Sequence, residues 1–152
     1  MKTIIHLSFT GLFWLGCIVV SAQVDKDAIK AVIAKETQSF MNVDRKSWSE
    51  TWHQAPYSYW SYSDSTGTSF VEGWEALNKT FDEYFKTQKP SKAKITNEWI
   101  EVRVYGTGAY VRFLQKVEDE IDRDETSQIR VLEKKDGKWK VVCMGAIAKY
   151  PK

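Results

Sequence analysis

The residues best suited to chemistry lie in one stretch, WSETWHQAPYSYWSYSDSTGTSFVEGW, from Trp48 to Trp74. It holds four of the chain's seven tryptophans, three tyrosines, His53 and an aspartate at a turn, Asp64. A carboxylate ringed by Trp60, Tyr62 and Trp74 would have the raised pKa of a general base, because low dielectric disfavours its charged form. The alternative for Asp64 is an Asx-turn satisfied by its own backbone. His53 is a second candidate base at a pocket mouth, or else a polar residue ending a short helix. Arg103, Arg112 and Arg130 offer guanidinium forks for a carboxylate or sulfate, while Trp48, Trp52, Trp60, Trp74 and Trp99 would stack on a planar body. Glu101 competes for those arginines. No metal site is expected: zinc needs three or four ligands, and the chain past residue 22 has one imidazole and one cysteine, Cys143. The acidic run 118–125 lacks the glycine and spacing of a calcium-binding hand. Cys143, inside VVCMGAIA, is expected as a small buried hydrophobe.

Before these residues comes a leader. Residues 1–22 carry an early lysine, an apolar core from Ile4 to Val20 and the small pair Ser21-Ala22, the layout of a cleaved secretory signal peptide. His6, Ser8 and Thr10 interrupt the run that a membrane-spanning helix would need. A lipid anchor at Cys17 is disfavoured by the bulky Trp14 upstream and by the apolar run continuing past the cysteine. The remainder, residues 23–152, is one domain's worth of chain. With a single cysteine it must rest on packing rather than disulfides. Basic and acidic residues nearly balance, 22 against 20 over the whole chain, with lysines scattered, so neither a nucleic-acid footprint nor stable membrane insertion after leader removal is expected.

The elements that must position these residues follow from periodicity. Ile29, Val32, Ile33, Glu36 and Phe40 line one face of a helix from about Asp25, its expected cap, to Met41. Asp44 opens a short helix carrying Trp48 and Trp52, which Pro56 ends. Residues 57–62 alternate as a strand, 64–67 turn, and 69–72 return. A third helix after Gly73 presents Trp74, Leu77, Phe81, Tyr84 and Phe85 and stops before Pro90. Asn78-Lys79-Thr80 within it matches a glycosylation sequon. Four strands complete the chain, 95–105 with 109–118 and 127–135 with 138–148, the last pair joined by Asp136-Gly137.

Register follows from segregating polar and apolar residues. Pairing Tyr105 with Gly108 puts Ile100, Val102 and Val104 beside Ala109, Val111 and Phe113; the other face carries Trp99, Glu101 and Arg103 beside Tyr110, Arg112 and Leu114. Glu101 then faces Arg112, and Arg103 faces Tyr110.

Asp44-X-X-X-Trp48, Asp64-X-X-Gly67, Glu72-Gly73-Trp74-Glu75, Gly108-Ala109-Tyr110-Val111 and Asp136-Gly137-Lys138-Trp139 occur in an order that resembles the nuclear-transport-factor-2-like superfamily, in its SnoaL-like polyketide-cyclase and ketosteroid-isomerase branch. The resemblance implies an α+β, cystatin-like roll: a cone-shaped curved antiparallel sheet packed by three N-terminal helices. It implies a deep pocket on one face and a homodimer interface on the other. It places Tyr110, Arg112, Leu114, Ile129, Val131, Val142 and Met144 on the pocket side. Val102, Val104, Val111 and Phe113 are left for a second subunit. In the isomerase relatives the aspartate matching Asp64 is the general base, but their oxyanion-stabilising tyrosine and acid are matched here by Glu36-Thr37 and Ile129. Steroid isomerisation itself is therefore not expected.

The expectation is an exported homodimer binding a small, partly apolar molecule in an aromatic, arginine-containing pocket. The rivals are a cofactor-independent isomerase, cyclase or lyase using Asp64 or His53, and a non-catalytic dimerisation module. No cofactor is implied.

Overall fold

The computed structural model describes residues 14–119 and 123–149, with side chains described from Gln23 onward. Helix α1 (Trp14–Met41) is followed by α2 (Arg45–Thr51), the hairpin β1 (Tyr59–Asp64) and β2 (Gly67–Glu72), and helices α3 (Trp74–Thr80) and α4 (Asp82–Thr87). Four long strands follow: β3 (Lys94–Tyr105), β4 (Gly108–Glu118), β5 (Arg123–Lys135) and β6 (Lys138–Ala148). They make one six-stranded sheet in the order β2-β1-β6-β5-β4-β3. All neighbours are antiparallel except β1 and β6, which run parallel, so the curved sheet is mixed rather than wholly antiparallel.

Helix α1 starts well before the expected Asp25, since no proline interrupts the chain between Trp14 and Met41. Of the expected signal peptide, residues 1–13 lie outside the described residues, and the expected cleavage point falls within the helix. No described helix is long and apolar enough to cross a membrane. Asp25 therefore caps nothing. Its carboxylate accepts hydrogen bonds from Lys134 Nζ at 2.6 Å and Trp139 Nε1 at 2.9 Å, tying α1 to the β5–β6 hairpin and holding its pKa below the usual carboxylate range.

Asp44 caps α2 as its sequence position requires, its side chain accepting from Ser47 N at 3.0 Å. The expected single third helix is split: Phe81 closes α3 with a bond to Leu77 O and opens α4 by accepting from Phe85 N. Strand β5 begins four residues earlier than expected. Within the acidic run 118–125, Glu118 pairs with Arg123 at 2.7 Å and Glu125 with Lys149 at 2.5 Å.

The register of β3 and β4 is the expected one, with Tyr105 opposite Gly108, Arg103 opposite Tyr110 and Glu101 opposite Arg112. A β-bulge between Trp99 and Glu101 then shifts the parity, putting Trp99 opposite Phe113. The helices cover the face carrying Val111, Phe113, Leu132 and Val141, all fully buried against Ile29 and Ile33 of α1. This reverses the expected sidedness. Val102, Val104, Val111 and Phe113 belong to the core and are not available to a second subunit, because an apolar strip of this kind is driven under the helices first. The outer face carries Tyr110, Arg112, Leu114, Val131 and the exposed Ile129 and Ile147.

Candidate functional site

A cavity of about 170 Å³ opens between α1, the α3–α4 segment and the inner sheet face. Its walls are Phe40 and Met41 from α1, Trp48 from α2, Trp60 and Tyr62 from β1, Phe81, Val117, and Met144 with Ala146 from β6. Its polar residues are Glu36, Thr37, Gln115, Asp124, Thr126, Gln128 and Arg130. Alternation explains the set: Gln115, Gln128 and Arg130 occupy inward positions of β4 and β5, and Trp60 and Tyr62 inward positions of β1.

The polar residues form one network at nearly complete burial. Glu36 and Arg130 side chains are 5% and 1% exposed and pair at 3.3 Å. Glu36 Oε1 accepts from Trp48 Nε1 at 3.2 Å. Arg130 NH1 donates to Gln128 Oε1 at 2.6 Å and to Ile129 O at 3.2 Å. Gln128 Nε2 donates to Thr126 Oγ1 at 2.6 Å; Gln115 Nε2 donates to Asn97 Oδ1 at 3.0 Å and Thr37 Oγ1 at 3.2 Å. Arg130 Nε is buried without a hydrogen-bond partner. Burial pulls the guanidinium's pKa down, and the facing Glu36 charge opposes that pull. The guanidinium also lies 5.5 Å from the Phe113 ring centre, a cation–π contact. Such a pair contributes little net stability over an apolar replacement, while losing one partner strands a charge. The ion pair thus lies at the wall of the aromatic cavity, almost wholly removed from solvent.

The structure gathers only part of the expected site. Trp48, Trp60, Tyr62, Met144 and Arg130 border the cavity. Trp52 and Trp74 lie behind it, Trp74 stacked on Trp48 at 5.7 Å between ring centres. Trp99 packs on Phe113 at the sheet edge, with Lys30 Nζ over its ring at 5.7 Å. Glu101, Arg103, Tyr110, Arg112 and Leu114 are not at the cavity, because Val102, Val104, Val111 and Phe113 take the inward positions in that part of β3 and β4. The Glu101 carboxylate accepts from Arg103 Nε at 3.0 Å, two residues along its own strand rather than across to Arg112. Ile129 and Val131 likewise face outward. Val142 is buried beside a second bulge, and Cys143 is half-buried, its thiol pKa pushed up by burial.

Asp64 is a turn residue. Its carboxylate accepts from Thr66 Oγ1 at 2.6 Å and Thr66 N at 2.8 Å, an Asx-turn that leads into Gly67 at φ 144°. Those bonds hold its pKa below the usual carboxylate range, opposite in direction to the shift a base requires. A group with a depressed folded pKa stabilises above its unfolded pKa and loses that contribution as pH falls through the folded value. Asp64→Ala should therefore weaken the β1–β2 turn at neutral pH but not at strongly acidic pH, as thermal unfolding at the two pH values would show. His53 is also away from the cavity: Nε2 lies 3.7 Å from Glu133 Oε2, which accepts from Tyr57 OH at 2.9 Å, and Nδ1 is buried without a partner. No group of three or more metal-ligating side chains occurs among the described residues.

Glu36, Thr37, Gln115, Thr126 and Gln128 were not singled out as site residues from the sequence. The available signal was a glutamate within the apolar stripe of α1, a glutamine two positions past Phe113 on β4, and polar residues at every second position of β5 before Leu132.

Six strands, a helical cover on one face and this inner cavity define the nuclear-transport-factor-2-like, cystatin-like fold. Solved structures of that fold superpose on most of the chain. A nuclear-transport-factor-2-like protein of unknown function from Shewanella oneidensis has a TM-score of 0.65 at 14% identity, covering 80% of this chain and 97% of its own. One from Shewanella baltica gives 0.61 at 20% identity, covering 85% and 97%. A candidate dehydratase of the same family from Streptomyces avermitilis gives 0.65 at 12% identity, covering 85% and 99%. At these identities the likeness is one of fold. No protein-family model matches the chain, and no curated protein matches it in sequence.

Proposed function

We propose that this is an exported protein that binds one compact, largely apolar organic molecule in the cavity beneath α1 and the α3–α4 segment. The observation that carries this reading is the buried Glu36–Arg130 pair facing a space walled by Phe40, Trp60, Tyr62, Phe81 and Met144. A void of about 170 Å³ exceeds the roughly 150 Å³ apolar cavity that takes up benzene, so a single-ring body fits. Native mass spectrometry of the protein from its own host should show a defined added mass. Ala146→Leu, which grows a side chain into the cavity, should lose that mass while keeping the fold. Retention of full affinity by Ala146→Leu would sink the cavity as the site.

The same reading seats a second copy against the outer sheet face, supported by Ile129 and Ile147, 38% and 55% exposed. Ile129→Glu should then convert a dimer to monomer in sedimentation velocity. A wild-type monomer at working concentration would refute this arrangement.

A further inference from the structure

Resting on the binding reading above, we propose that the cavity selects a cation: a protonated amine on a single-ring body, its ammonium held at the mouth by Asp124 and its ring inside the aromatic walls. Among the described residues, the charged side chains that line the cavity are Glu36, Arg130 and Asp124. Glu36 and Arg130 neutralise each other at 3.3 Å. Asp124 is left over, so the lining carries one net negative charge.

Strand β5 sets where that charge lies. Asp124, Thr126, Gln128 and Arg130 occupy alternate positions and line the cavity from one strand face. Arg130 is 1% exposed at one end of this row, and Asp124 is exposed at the other. Extended strand rises about 3.3 Å per residue, which sets the Arg130 backbone roughly 20 Å from that of Asp124. With Glu36 beside it, Arg130 leaves a cation at the mouth unopposed. The bases near Asp124 are taken by other acids. Arg123 pairs with Glu118 at 2.7 Å, Lys149 with Glu125 at 2.5 Å, and Lys116 lies 3.8 Å from Glu125. Lys116, Glu118, Arg123 and Glu125 hold the intervening positions of β4 and β5, whose side chains point to the other sheet face.

The rings of Phe40, Trp60, Tyr62 and Phe81 line the same space and offer it negative π faces. An ammonium is attracted by those faces and by the acid at the rim, whereas a carboxylate is opposed by both. Of the arginines expected to fork an anion, Arg130 is held by Glu36 and Gln128, Arg103 by Glu101, and Arg112 lies outside the cavity.

Titrating the purified protein at neutral pH with benzylammonium, benzyl alcohol and benzoate, followed by tryptophan fluorescence and calorimetry, tests the proposal. Benzylammonium should bind about tenfold tighter than benzyl alcohol, the combined range of an exposed ion pair and a cation–π contact. Benzoate should bind weakest. Benzyl alcohol or benzoate binding as tightly as benzylammonium would overturn the charge assignment while leaving the cavity as a binding site. No binding of any of the three would overturn the binding reading, and this inference with it. In Asp124→Asn, benzylammonium should fall to the affinity of benzyl alcohol; persistence of its preference would remove Asp124 from the site. In Ala146→Leu all three probes should be lost. Benzylammonium still bound there would show an ion pair formed outside the cavity, and the proposal would fall.

Discussion

Replacing Arg130 with methionine is expected to destabilise the protein by about 3–5 kcal/mol, the range for removing one partner of a buried ion pair. Methionine fills much of the space of the arginine stem, so the loss falls on Glu36. Its side chain is 5% exposed and would keep only the Trp48 indole and the weak Thr37 contact at 3.5 Å. The double change Glu36→Leu/Arg130→Met should regain most of the stability, because well-packed apolar residues replace buried pairs at little net cost. Urea unfolding of the wild type, both single variants and the double variant measures the coupling directly. An Arg130→Met chain as stable as wild type would show that Glu36 does not depend on Arg130 in the folded protein.

Trp48→Ala is expected to cost about 3–5 kcal/mol, the range for truncating a large buried aromatic. Trp48 is 1% exposed and its ring lies within 5.1–6.3 Å of Phe40, Trp52, Trp74, Phe81 and Phe85. No other ring in that cluster joins α1, α2 and the α3–α4 segment while also bonding the ion pair. Trp48→Phe should keep most of the packing and lose the indole bond to Glu36, a deficit of about 1–3 kcal/mol for an acceptor left short of a donor. Thermal unfolding of the two variants separates these contributions. If Trp48→Phe is as damaging as Trp48→Ala, the hydrogen bond outweighs the packing. If it is harmless, Glu36 is satisfied without the indole.

Sequence spacing was sufficient wherever a local rule was decisive. The apolar offsets of α1, the Asp44 cap, the Asp64 turn, the Asp136-Gly137 hairpin and the pairing of Tyr105 with Gly108 are all set by neighbours along the chain or directly across a turn. The aromatic stretch likewise contained real cavity residues in Trp48, Trp60 and Tyr62. Alternation sorted the residues of β4 into two sets by itself, but it carries no sign that says which set lies under the helices.

Only the tertiary structure decided that sign, and with it most of the site. Burying Val111 and Phe113 under α1 sent Tyr110 and Arg112 outward, and the bulge before Glu101 brought Trp99 to the inner face. The same packing joined Glu36, ninety-four positions before Arg130, to that arginine in a space closed to water. Attraction between two such charges depends on mutual distance and on exclusion of solvent. Neither is a property of the intervening sequence.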